Sequence, residues 1–170
     1  MSMRVRYLAG AVTLLAMSLP ALASQCIQHA EPAADRCKAA TAAEAAMRNV
    51  TDSAKAIAEA HNIASTCPSA KRWAKLARLY ETAGRWDEAF DGYMQAYCLT
   101  SMVNRTEVAT VLSRLLEPLA HTERYEELQL YTLQLRNLLK KLDADVTAGE
   151  PPISPNVRAR WEAGERALAE

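Results

Sequence analysis

The chain has 170 residues with 20 basic and 20 acidic side chains, a neutral balance that argues against nucleic acid as a general partner. Only 5 glycines and 6% aromatic residues accompany an abundance of alanine, as expected of an all-α chain. No run of β-branched residues alternates cleanly enough to propose a sheet.

The first element is a leader over residues 1–23. Arg4 and Arg6 give it a positive start, Leu8 to Leu19 form an apolar run, and Pro20 precedes Ala21-Leu22-Ala23. The run is about 12 residues, short of the ~20 that a membrane-spanning helix needs, so a cleaved signal peptide is expected rather than an anchor. A lipoprotein signal would need a small residue before its acceptor cysteine, and Gln25 precedes Cys26. Cleavage after Ala23 takes away two arginines and no acids, leaving 18 basic against 20 acidic residues. The remainder fits one compact domain.

Ser24 to Cys37 is a polar stretch containing Pro32. A leading long helix is expected from about Ala39 to Ser65, on the spacing of Ala45, Ala46, Val50, Ala54, Ile57, Ala58 and Ile63. Val50-Thr51-Asp52-Ser53 is its weak point, since Thr51 or Asp52 can cap a second helix. Cys67-Pro68-Ser69 ends the segment.

The strongest pattern follows. Trp73, Leu76, Ala77 and Tyr80 precede a turn at Ala83-Gly84-Arg85, and Ala89, Tyr93 and Ala96 come after it. Two antiparallel helices joined there set the large residues of one against the small residues of the other. This spacing resembles the tetratricopeptide repeat, whose 34-residue unit carries Trp, Leu, Gly or Ala, Tyr, Ala and Phe in that order. The resemblance covers residues 70–101, with Tyr93 for the usual phenylalanine and Ser101 where the family often has proline. A degenerate copy lies on residues 107–142. Arg124-Tyr125-Glu126-Glu127-Leu128 echoes Arg85-Trp86-Asp87-Glu88-Ala89 at an offset of 39, and Leu112, Leu115, Leu116 and Leu119 replace small residues, which would push the helices apart or let them wrap a thicker core.

On this resemblance residues 24–147 are expected to form a tetratricopeptide-like helical domain, and residues 148–155, with Pro151, Pro152 and Pro155, a linker that cannot stay helical. Residues 156–170 read as an amphipathic C-terminal helix through Val157, Trp161 and Leu168, placed to cap the array's last apolar face.

The four cysteines are Cys26, Cys37, Cys67 and Cys98, and an even number in an exported chain favours disulfides. Their wide spacing lacks the close pairs of a structural zinc site, so no metal is expected. Cys67 and Cys98 occupy the same end of the hairpin and are expected to pair, leaving Cys26 with Cys37. The alternative bond between Cys37 and Cys67 requires a break near Val50, because one helix would hold them some 40 Å apart at ~1.5 Å per residue.

No catalytic constellation is present. His29, His61 and His121 are scattered and lack HExxH spacing, no GxSxG or glycine-rich phosphate loop occurs, and the acids Asp87-Glu88 and Glu123-Glu126-Glu127 sit at expected helix starts. The chain is therefore expected not to be an enzyme and to carry no cofactor. In tetratricopeptide proteins the first helix of each hairpin commonly lines a concave groove. The resemblance points Lys71, Ala74, Arg78 and Glu81 into it, with Thr110, Ser113 and Glu117 from the weaker copy. Lys71 and Arg78 suit an acidic or carboxylate-bearing ligand. The expectation is a periplasmic protein-protein interaction module that assists or regulates assembly of an envelope system such as a secretion, pilus or wall-associated machine. The alternative is a periplasmic immunity or inhibitor protein that blocks a toxin or hydrolase.

Overall fold

The computed structural model describes residue 26 and residues 32–47, 50–147 and 152–170; the expected leader and the first part of the linker lie outside them. The described residues are all-α, with seven helices and no strand: α1 (Ala34–Ala46), α2 (Ser53–Thr66), α3 (Ala70–Thr82), α4 (Trp86–Leu99), α5 (Arg105–His121), α6 (Tyr125–Thr147) and α7 (Pro155–Ala167). Each helix from α1 to α6 packs on the next, and α7 returns to lie against α5 and α6.

The expected leading long helix is two helices. Asp52 stands outside helical geometry and its carboxylate accepts the backbone N–H of Lys55 at 2.8 Å, which starts α2 afresh. That break lets α2 fold back on α1, and it changes the disulfides. Cys37 bonds Cys67 across the α1–α2 hairpin, with a Cα separation of 5.0 Å, and Cys26 bonds Cys98 at the end of α4, with 5.7 Å. The expected pairs, Cys67 with Cys98 and Cys26 with Cys37, are thereby corrected. Cys67 ends α2 and Cys98 lies in the last turn of α4, but Cys67 is bonded across the α1–α2 hairpin. Cys67 is buried among Ala40, Ile63 and Ala64, facing α1. Among the described residues no helix is long and apolar enough to cross a membrane.

Two turns share one chemistry. After α3, Gly84 takes a left-handed backbone (φ 69°), so that the N–H of Arg85 reaches the carbonyl of Tyr80 at 2.9 Å and that of Gly84 reaches Glu81 at 3.0 Å. After α5, Glu123 takes the same conformation (φ 56°), and Arg124 and Glu123 reach Leu119 and Ala120 at 3.0 and 3.4 Å. Arg85 then pairs with Glu88 at 2.6 Å, as Arg124 does with Glu127. The echo at offset 39 is therefore structural as well as sequential. The second turn lacks glycine, and a side chain in this region costs about 1–2 kcal/mol. Glu123→Gly, less the extra chain entropy of glycine, is expected to stabilise by about 0.5–1 kcal/mol in urea denaturation.

The core lies mainly between the two later hairpins. Phe90, Tyr93 and Met94 of α4 meet Leu112, Leu115, Leu116 and Leu119 of α5, which meet Leu128, Tyr131, Leu135 and Leu139 of α6. Ile153 and Val157 close this core from the C-terminal side. Arg136 binds Glu165 at 2.5 Å and Arg158 binds Asp143, fixing α7 antiparallel to α6. A smaller core holds Ile57, Ala60, Ile63, Trp73 and Leu76 between α2 and α3.

Candidate binding groove

Helices α3, α5 and α7 line three adjoining depressions that share residues and together make a furrow. Its first part lies between α3 and α5, where Lys71, Ala74, Arg78 and Thr82 face Arg114. Its middle brings Arg78, Glu81 and Trp86 together with Arg114 and Glu117 of α5 and Arg160 of α7. Its last part runs between α5 and α7, past Leu116, Ala120 and His121.

Lys71, Arg78 and Glu81 all lie along this furrow. Of the weaker copy, Glu117 joins them, but Ser113 does not. Ser113 is fully buried and donates its hydroxyl to the Thr110 carbonyl at 2.8 Å, while the Thr110 hydroxyl is turned to Thr106, also at 2.8 Å. The face of α5 that borders the furrow is rotated toward Arg114 and Glu117. The residues that the sequence did not single out are Arg114, Trp86 and Arg160. Arg114 had a signal, since Thr110, Arg114 and Glu117 fall at i, i+4 and i+7 and so share a helical face. Arg160 had none, because its place depends on how α7 folds back across α5.

Charge in the furrow is arranged unusually. Arg78, Arg114 and Arg160 make no ion pair among the described residues. Lys75, beside them on α3, is paired with Glu44 at 3.6 Å. Glu81 and Glu117 stand in the same part of the furrow, and the buried Tyr93 donates its hydroxyl to Glu81 Oε2. Burial, and next the Glu81 carboxylate, hold Glu117 above the usual carboxyl range. Burial and the same carboxylate push the Tyr93 phenol well above its ordinary value. Arg114 lies over the Tyr93 ring, 5.9 Å from its centre. At the rim, Trp86 stacks on His121 with ring centres 3.8 Å apart and planes within 9°.

No family model, curated protein or solved structure matches this chain.

No group of three or more histidine, cysteine or acidic side chains among the described residues is placed to hold a metal ion. What the furrow offers is three guanidiniums from three separate helices, with aromatic surface at one rim.

Proposed function

We propose that this chain is a periplasmic interaction module of tetratricopeptide-like build, which holds a segment of a protein partner in the α3–α5–α7 furrow and so assists or regulates assembly of an envelope system. One observation carries the reading. Arg78, Arg114 and Arg160 converge on one open furrow without ion pairs among the described residues, and charged groups on a protein's surface are ordinarily spent on neighbours or spread over it. The build is supported by the two hairpins with matching left-handed turns, whose first helices α3 and α5 both border the furrow. The compartment is supported by the leader expected over residues 1–23 and by two disulfides, which persist in oxidising surroundings.

The test is site-specific photocrosslinking in cells. A benzophenone side chain at Arg78 or Lys71 is expected to trap one discrete protein in the envelope fraction, whereas the same group at exposed Lys55 or Ala58 on α2 is expected to trap none. Equal trapping from both faces, or none from the furrow, contradicts the reading. A trapped hydrolase whose activity the purified chain suppresses would instead favour an inhibitor.

A further inference from the structure

The outward face of α6 is used neither by the core nor by the furrow. Leu128, Tyr131, Leu135, Leu139 and Leu142 bury the inward face, and Arg136 and Asp143 bind α7 along one flank. On the opposite side Glu126, Leu130, Leu133, Asn137 and Lys140 recur at spacings of four and three, the seam on which two helices pack, and all five are exposed. Leucines scattered singly on a surface need no explanation, but here two share one seam, at 43% and 48% exposure, between charges of opposite sign. The exposed acids Glu123 and Glu126 stand at the start of α6 and the exposed Lys140 and Lys141 toward its other end, and none of the four makes an ion pair among the described residues. The helix runs on to Thr147, so both lysines lie too far from its end for the helix dipole to account for them.

We propose that this face joins two copies of the chain, with α6 packed antiparallel on α6 about a two-fold axis. A two-fold contact must be complementary to itself, and antiparallel pairing makes this seam so. Setting Leu130 of one copy against Leu133 of the other, in both directions, gathers the exposed leucines at the axis. The same register places Asn137 opposite Glu126, where its amide can donate to the carboxylate, and brings Lys140, one turn further on, beside the acids at the start of the other α6. Parallel pairing would instead set acid on acid and lysine on lysine. No residue lining the three depressions of the furrow belongs to α6, so the contact covers neither copy's furrow and the pair presents two. A partner with two matching segments would then be held more tightly without any new contact. The pairing of copies stands whether or not the furrow binds a protein.

The experiment takes the chain, with its disulfides intact, to sedimentation equilibrium. Monomer and dimer are expected to exchange with a dissociation constant of about 10–100 µM, the weak binding that suits an interface under about 1,200 Å². Leu133→Lys is expected to abolish the dimer while its circular dichroism and unfolding midpoint stay close to the parent's, because the side chain is already half exposed. Lys140→Glu and Glu126→Lys are each expected to weaken the dimer about fivefold at low salt, since symmetry counts each change twice, and the double exchange is expected to restore it. Only the antiparallel arrangement allows that rescue, because in a parallel one the double exchange again sets like charge on like. A chain that is monomeric throughout overturns the inference, as does a dimer indifferent to Leu133→Lys or a double exchange that restores nothing. A monomeric chain in which a benzophenone side chain at Leu133 traps a different protein gives the face to that protein and overturns it too.

Discussion

Replacing Cys37 and Cys67 together by alanine is expected to release α1 from the rest of the molecule. The bond closes a sequence separation of 30, which in the chain-entropy account corresponds to about 3–4 kcal/mol. Little else holds α1 down. Ala40 is its one buried residue, and Ala33 before it provides no side-chain cap. Its remaining ties to α3 are polar: Arg72 reaches Thr41 at 2.9 Å and Glu44 at 3.4 Å, and Lys75 reaches Glu44 at 3.6 Å. Partly exposed ion pairs of this kind contribute about 0–1 kcal/mol each, less than the bond. Hydrogen exchange should therefore show the amides of residues 34–46 losing protection by two orders of magnitude or more, while those of α4 and α5 keep theirs. Replacing Cys26 and Cys98 instead should leave α1 protected, because Cys37–Cys67 still latches it. Retained protection of α1 in the first variant would mean that packing and not the bond holds the helix. Peptide mapping without reductant should recover residue 37 joined to residue 67, and a peptide joining 67 to 98 would overturn the described pairing.

That pairing marks where local sequence stops specifying structure. The hairpin of α3 and α4 was legible because its signals are local and agree with each other. Trp73, Leu76 and Ala77 are buried at helical spacing on α3, Ala89, Tyr93 and Ala96 on α4, and Gly84 supplies the left-handed turn. The degenerate copy was fainter because Glu123 fills the position where the first turn has glycine, removing the clearest punctuation. The break before α2 was visible only as a competition. Alanines on both sides favour one continuous helix, and the Asp52 cap wins by satisfying an N–H that a fresh helix start leaves open. Once that cap decides the chain reversal, disulfide choice follows from a fold-back that no periodicity records.

The furrow divides in the same way. Lys71, Arg78 and Glu81 were singled out by the tetratricopeptide resemblance of the α3 segment, and one helix presents them at fixed intervals. Arg160 reaches the same furrow only because Ile153 and Val157 are buried and draw α7 back across α5. The presence of Glu81 and Glu117 in one part of the furrow is likewise a product of two helices meeting, and like charges give no sequence cue for attraction. Convergence of charges from different helices is thus the part of the site that composition and spacing leave unread.

The second large effect is expected at a close approach of α3 and α4. Gly92 lies inside α4, and a Cβ built there would stand 2.9 Å from the Ala77 Cβ and 3.2 Å from its Cα. Those atoms belong to a backbone and to the shortest side chain, so no rotamer change can make room. In an open helix Gly→Ala would gain about 1 kcal/mol from helix propensity. Here overpacking costs about 1–3 kcal/mol, and Gly92→Ala is expected to be destabilising on balance. Gly92→Leu must push the two helices apart along their length, which places it beyond about 4 kcal/mol, among the largest single-residue effects. It should also shift Arg78 and Glu81 relative to Arg114 and Glu117, since α3 carries one wall of the furrow and α5 the other. Urea denaturation of Gly92→Ala, Ala77→Gly and the pair provides the decisive cycle. If the clash is real, Ala77→Gly returns the lost space and the double variant is more stable than the sum of the single changes predicts. A Gly92→Ala variant more stable than the parent would show that the helices do not approach so closely, and the wall of the furrow would have to be redrawn with them.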